Sequence, residues 1–290
     1  MRFQGIPVTL ENYKEIFRDC IPDVLDEIRL AVLDDTNIIP YIDACGSDSY
    51  KLGQFRLAIR EGVPTRFLSV KLTARAVYCI RRCFANNISL EPLVKYYNGT
   101  SIAIPVDIFE MIAETLSLGG DITQIDFYDV KDDILEIICK GLVRGYPMQM
   151  FVDDRFTQGY IRLLMRGLDL CIDINPFMED IWEEDQLITI FASSSKIDIS
   201  LLMQYVSPKF PCETISSLIK IMSNGLDIDR LAYRDSDGYP IYSNYQIEVL
   251  GVALEMMKNG INCEDVFNPK LSDKQMEDML DDIKNSLQEI

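Results

Sequence analysis

A chain of 290 residues with 28 basic and 46 acidic side chains, a net charge of −18 and 48% hydrophobic residues has ample apolar material for a core and is not a disordered polypeptide. It contains no histidine, which removes the usual general base, the usual transition-metal ligand and every Ser/His or Cys/His nucleophilic pair. No run approaches the ~18 apolar residues of a membrane span, and charges interrupt Met1 to Cys20 where a signal peptide has an unbroken apolar stretch, so the expectation is a cytoplasmic protein without metal, cofactor or membrane contact.

Residues 1–22 are expected to be an N-terminal cap, with Thr9 starting a helix through LENYKEIFRD. Pro22 suits the first turn of a helix over about Asp23 to Asp35, with Leu25, Ile28 and Val32 facing inward. From there a unit recurs. With Gly62 as the stop residue, apolar side chains stand ten, seven and three residues before it and one and six after it: Leu52, Phe55, Ile59, Val63 and Leu68. The same template fits stops at Asn87, Gly145, Cys171, Gly225 and Gly260, and partly at Gly119.

The unit from Trp182 to Leu202 is degenerate, and the last one lies behind a Ser272/Gln275 capping box. Stops at 62, 87, 119, 145, 171, 196, 225, 260 and 286 define a period of about 25 with three insertions, around Tyr97 to Ile104, Tyr205 to Pro211 and Tyr233 to Ser243. A fixed period with a preserved apolar stripe predicts an all-α protein, an α-solenoid of about nine or ten short helical repeats. It would form one array over 1–290, with a cap at 1–22, repeats at 23–271 and a capping helix at 272–290.

The cleanest copy, Ser243 to Val266, starts with a Ser243/Gln246 capping box and ends at Gly260. Through QIEVLGVALEMMKNGIN at 246–262, MSNGLDI at 222–228 and SDKQMEDML at 272–280, the chain resembles a loose class of uncharacterised bacterial proteins made of short helical repeats. The middle units depart from that pattern in having no Gln at the helix start. The resemblance implies an array that presents surface, often encoded on mobile elements, and brings no catalytic residues with it.

Eight cysteines are scattered without a CxxC pair and are expected to be reduced. Cys79 and Cys83, one helical turn apart, fit ordinary core packing better than a soft-metal site. Asp235-Ser236-Asp237-Gly238 opens like a calcium loop but lacks the later ligands, which favours an inserted turn.

Charge divides the chain more sharply. Residues 1–50 carry 4 basic and 10 acidic side chains, residues 51–95 carry 9 and 2, and residues 96–290 carry 15 and 34. In the basic window Arg56 and Arg81 share one repeat position in consecutive units, with Arg60, Arg75 and Arg82 nearby. They are candidates for a positive strip that binds an acidic protein surface or a nucleic-acid backbone, against the alternative of pairing with the chain's own acids. In the acidic portion, Trp182 stands among Glu183, Glu184 and Asp185. Those residues are candidates for a strip that imitates a phosphate backbone.

The pattern as a whole points to a non-catalytic scaffold or adaptor whose partner is another protein. An acidic decoy for a nucleic-acid-binding protein is the second reading, and a carboxylate-dependent enzyme the third. Oligomeric state is not legible.

Overall fold

A computed structural model describes residues 1–223, Met256, Gly260, Ile261 and 273–288. The unit from Ser243 to Val266 beyond those three residues, the insertion Tyr233 to Ser243 with Asp235 to Gly238, and the Gly225 stop lie outside the described residues. The protein is all-α, with only two short hairpins among the described residues: β1 (Arg2–Phe3) with β2 (Ile6–Pro7), and β3 (Tyr97–Asn98) with β4 (Ser101–Ile102). It divides into two compact units, Met1–Gln158 and Gly159–Ile290.

In the first unit the lead-in is the β1–β2 hairpin and a single turn, α1 (Tyr13–Ile16). The expected Thr9 cap is replaced by Asn12, whose Oδ1 accepts from the Thr9 amide at 2.8 Å. Then come α2 (Pro22–Leu33), α3 (Ile39–Cys45), α4 (Ser49–Arg60), α5 (Ala74–Ala85), α6 (Val106–Ser117) and α7 (Asp132–Val143). All of these except α3 are 12 residues long. Pro22 opens α2 at the position where its missing amide is not needed. The Asp48 and Thr73 side chains cap α4 and α5 by accepting the amides of Lys51 and Ala76. Each of the 12-residue helices packs on the next: α2 on α4, α4 on α5, α5 on α6, α6 on α7.

The second unit starts with α8 (Gln158–Asp169), followed by α9 (Asn175–Glu179), α10 (Glu184–Ala192), α11 (Ile199–Leu202), α12 (Cys212–Ser223) and α13 (Asp273–Gln288). Helix α10 packs on α12, and the tight face of α8 at Gly167 meets Ile174 and Phe191. The stop expected at residue 286 is not one, since α13 runs through it to Gln288.

One closure recurs at the helix ends. Asp35, Gly62, Asn87, Gly119, Gly145, Cys171 and Gly260 all have φ between +52° and +92°. In each case the next amide reaches back five residues: Thr36 to Ala31, Val63 to Ala58, Ile88 to Cys83, Gly120 to Thr115, Tyr146 to Gly141, Ile172 to Gly167 and Ile261 to Met256, at 2.8–3.1 Å. This is the Schellman closure, in which a left-handed residue turns the chain and an orphan carbonyl is satisfied. The turn at Lys196 departs from it, since the next amide, Ile197, bonds Ser193 only four residues back.

The closure fixes which helix face is inside. Seven residues before the stop, Ile28, Phe55, Ile80, Ile112, Ile138 and Leu164 are fully buried, and six after it Tyr41, Leu68, Leu93, Ile125, Phe151 and Phe177 are buried. Three before the stop, the expected core position is only partly right: Leu116 and Leu142 are buried, Val32, Ile59 and Leu168 half-buried, and Phe84 is 37% exposed. The inner position is one residue earlier, at Ala31, Ala58, Cys83, Thr115, Gly141 and Gly167. At Gly141 and Gly167 the residue has no side chain because the one three past the stop, Met148 or Ile174, tucks against it. A methyl on Gly141 would lie 2.1 Å from Met148 Sδ, and one on Gly167 3.0 Å from Ile174.

Candidate interaction surface

Helices α4 and α5 carry the basic candidates, and the structure turns most of them toward the chain's own acids. Arg56 is 7% exposed. Its Nε donates to Glu27 Oε2 at 2.8 Å and its Nη1 to Asp34 Oδ2, both on the α2 side. Burial alone would lower the guanidinium's pKa, but the bonds to Glu27 and Asp34 outweigh it and hold Arg56 above its ordinary value. Arg60 reaches Asp34 at 3.7 Å.

Arg81 repeats the arrangement one helix later. Nε and Nη2 donate to the two Glu61 oxygens at 2.9 and 2.5 Å, and Nη1 donates to Gln54 Oε1 at 2.6 Å. Arg75 donates to Glu114 at 2.5 Å and lies 3.8 Å from Glu110 on α6. Arg82 is exposed. Arg56 and Arg81 therefore occupy helix seams, where their charge is spent inside the molecule, and Arg75 and Arg82 are left on the outer face.

In the second unit Trp182 points inward, 4% exposed, with its ring edge-on to Phe177 at 5.5 Å. Its amide donates to the Tyr160 hydroxyl, which itself donates to the Phe177 carbonyl. Glu183 caps α10, its amide bonded to Gln186 Oε1 at 2.8 Å, and Gln186 Nε2 donates to the carbonyls of Pro208 and Phe210. Glu184 and Asp185 lie exposed in the first turn of α10, where acidic side chains favour the helix dipole. The acidic strip thus keeps its charges at the surface and loses its aromatic to the core.

The two described insertions differ in character. Tyr97 to Ile104 forms the β3–β4 hairpin, with the Tyr97 hydroxyl donating to the Phe67 carbonyl. Tyr205 to Pro211 is held down by buried Tyr205, Val206 and Phe210.

Two surface openings lie within single units. One, of about 510 Å³, sits in the second unit between the turn after α8, at Cys171 and Asp173, and the turn at Ser194 to Ser200. The other, of about 500 Å³, runs between α6 and α7 in the first unit. One stripe from each helix lines it: Met111, Glu114, Thr115 and Leu118 from α6, and Glu136, Cys139, Lys140 and Val143 from α7. Leu118 is 45% exposed and Val143 38%. The Thr115 hydroxyl donates to Met111 O, and buried Cys139 forms the floor, its thiol pKa raised by burial. At the rim Lys140 pairs with Glu136, and Arg75 with Glu114.

The basic-window reading points to the neighbouring seams but not to this groove, whose Met111 and Leu118 fall outside the five template positions. Comparing whole helices in register, eight and one residues before each stop, would have exposed it. No protein-family model, no curated protein and no solved structure matches the chain.

Proposed function

We propose that the chain is an α-solenoid of about nine or ten short helical repeats that acts as a non-catalytic scaffold and binds another protein through the outer face of its 12-residue helices. The observation that carries this is the open groove between α6 and α7, with Leu118 and Val143 exposed at its edges. Equal helix lengths and the repeated five-residue closure support the repeat reading, because units that cannot bury a face alone do so by stacking. A shallow cleft with apolar walls and paired rim charges suits a macromolecular surface better than a reacting centre. The bacterial, mobile-element setting implied by the resemblance belongs to the same proposal.

Photo-crosslinking in native host cells tests it. A benzophenone side chain at Tyr78 or Leu118, both exposed, is expected to capture one protein in common. Absence of a shared adduct at these positions, with adducts absent also from Arg82 and Arg144, overturns the reading.

A further inference from the structure

Helices α4 and α5 stand out by charge. In a chain of net charge −18 they carry Lys51, Arg56 and Arg60, then Arg75, Arg81 and Arg82, with no acidic residue in either helix. The 12-residue helices on both sides are acidic: α2 carries Asp23, Asp26 and Glu27 against Arg29, and α6 carries Asp107, Glu110 and Glu114 with no base. Since α4 and α5 pack on one another, their outer faces form one strip bounded by carboxylates. The seams take Arg56 and Arg81 out of it. Arg60 and Arg75 lean on Asp34 and Glu114, yet their side chains remain 50% and 60% exposed. Two charges are left uncompensated: Lys51 Nζ donates to the carbonyls of Ala44 and Val70 at 3.5 and 3.4 Å, and exposed Arg82 makes no ion pair among the described residues. Along α5, Arg75, Tyr78 and Arg82 stand at i, i+3 and i+7 and so share one face, with Tyr78 47% exposed between the two arginines. Helix α4 adds Tyr50, 64% exposed.

Resting on the scaffold reading, we infer that the α4–α5 strip binds a single acidic segment of the partner protein, with carboxylates on Arg82 and Arg75 and apolar side chains on Tyr78 and Tyr50. Charge complementarity sets the sign of the occupant: a positive surface selects a negative one and rejects its own sign. Width sets its size. Neighbouring helix axes lie about 8–10 Å apart, so a strip two helices wide holds one segment, and a broader acidic surface would meet Asp23 and Asp26 on one side and Asp107 on the other. Exposed tyrosine and arginine are the residue types enriched at the centres of protein interfaces. A nucleic-acid backbone fits less well, because a DNA-binding surface typically neutralises about 6–10 phosphates, whereas here most cations already hold carboxylates and only Lys51 and Arg82 are uncompensated.

The test places benzophenone at Tyr78 of the full chain in native host cells and sequences the crosslinked peptide by mass spectrometry. The adduct is expected on a stretch in which Asp and Glu outnumber Lys and Arg. Arg82→Glu is expected to lower its yield at least tenfold and Arg82→Gln by less, while the same reversal at Arg162, exposed on α8 of the second unit, is expected to leave it unchanged. With the benzophenone moved to Tyr50, Tyr78→Ala is expected to lower the yield at least tenfold. Thermal melts of these exposed-site variants are expected to match the unmodified chain, which separates lost binding from lost fold; should Arg82→Glu unfold, Arg82→Gln and Tyr78→Ala decide. An adduct on a neutral or basic stretch, an adduct on nucleic acid, or a yield indifferent to Arg82→Glu overturns the assignment. Adducts from Leu118 and Arg144 with none from Tyr78 or Arg82 overturn the strip and leave the scaffold standing; absence of adducts from all four removes the scaffold and the strip with it.

Discussion

Arg81 stands against α4 as Arg56 stands against α2, six residues before its own left-handed stop and bonded to the residues eight and one before the previous one. The repeat is therefore a repeat of side-chain contacts as well as of apolar spacing. What distinguishes the two is solvent: the Arg56 side chain is 9% exposed and the Arg81 side chain 16%.

Removing one member of a buried pair strands the others, at a cost of about 3–5 kcal/mol. Arg56→Ala is expected to fall toward the low end of that range by urea unfolding, since it strips Glu27 and Asp34, each 22% exposed, of their shared guanidinium and leaves only the longer Arg60 contact to Asp34. Arg81→Ala is expected to cost less, because Glu61 is 33% exposed and can be hydrated. Adding Glu27→Gln and Asp34→Asn to Arg56→Met is expected to recover much of the loss.

Gly141→Ala is expected to destabilise by about 1–3 kcal/mol despite the better helix propensity of alanine, because the new methyl would overlap Met148 at 2.1 Å. Gly167→Ala is expected to cost less, its nearest atoms being at 3.0 and 3.1 Å. Combining Gly141→Ala with Met148→Ala is expected to be less harmful than the sum of the two changes, a non-additivity that a double-mutant cycle in urea measures.

Cys171 and Asn87 hold left-handed φ values of +58° and +57° without being glycine. Cys171→Gly is expected to stabilise by up to about 1 kcal/mol, by relieving the side-chain clash of that conformation, and Asn87→Gly by less, since asparagine tolerates it. Thermal melts of the two variants check the order.

Burial pushes the Cys45 thiol up to about 11 and the Cys83 thiol up to about 12, from an ordinary value of 9.0. A thiol held neutral by the fold binds its proton more tightly there than in the unfolded chain. The stability linked to it is complete below pH 9 and is lost as the pH rises toward 11 or 12. Urea midpoints are therefore expected to fall over that window, and to fall less in Cys83→Ala compared with its own neutral value. At pH 8 a disulfide reagent is expected to label exposed Cys171 well before Cys45 and Cys83.

The amino-acid order by itself determined the stops at Gly62, Asn87, Gly145 and Cys171 and the buried positions seven before and six after them, because left-handed turns and apolar spacing are local properties of the chain. Helix spacing left two neighbouring faces almost equally apolar. Only packing chose the one through Gly141 and Gly167, where a small residue scores poorly as hydrophobic but admits the side chain that follows the turn. The fate of the basic window was a tertiary matter as well. The sign and register of Arg56 and Arg81 are written in the sequence, but their partners lie 20 to 29 residues away on the preceding helix, and proximity across a seam decides whether a guanidinium meets solvent or a carboxylate. The α6–α7 groove is the same decision with the opposite result: the seam is present, and the residue that would have filled it is Cys139.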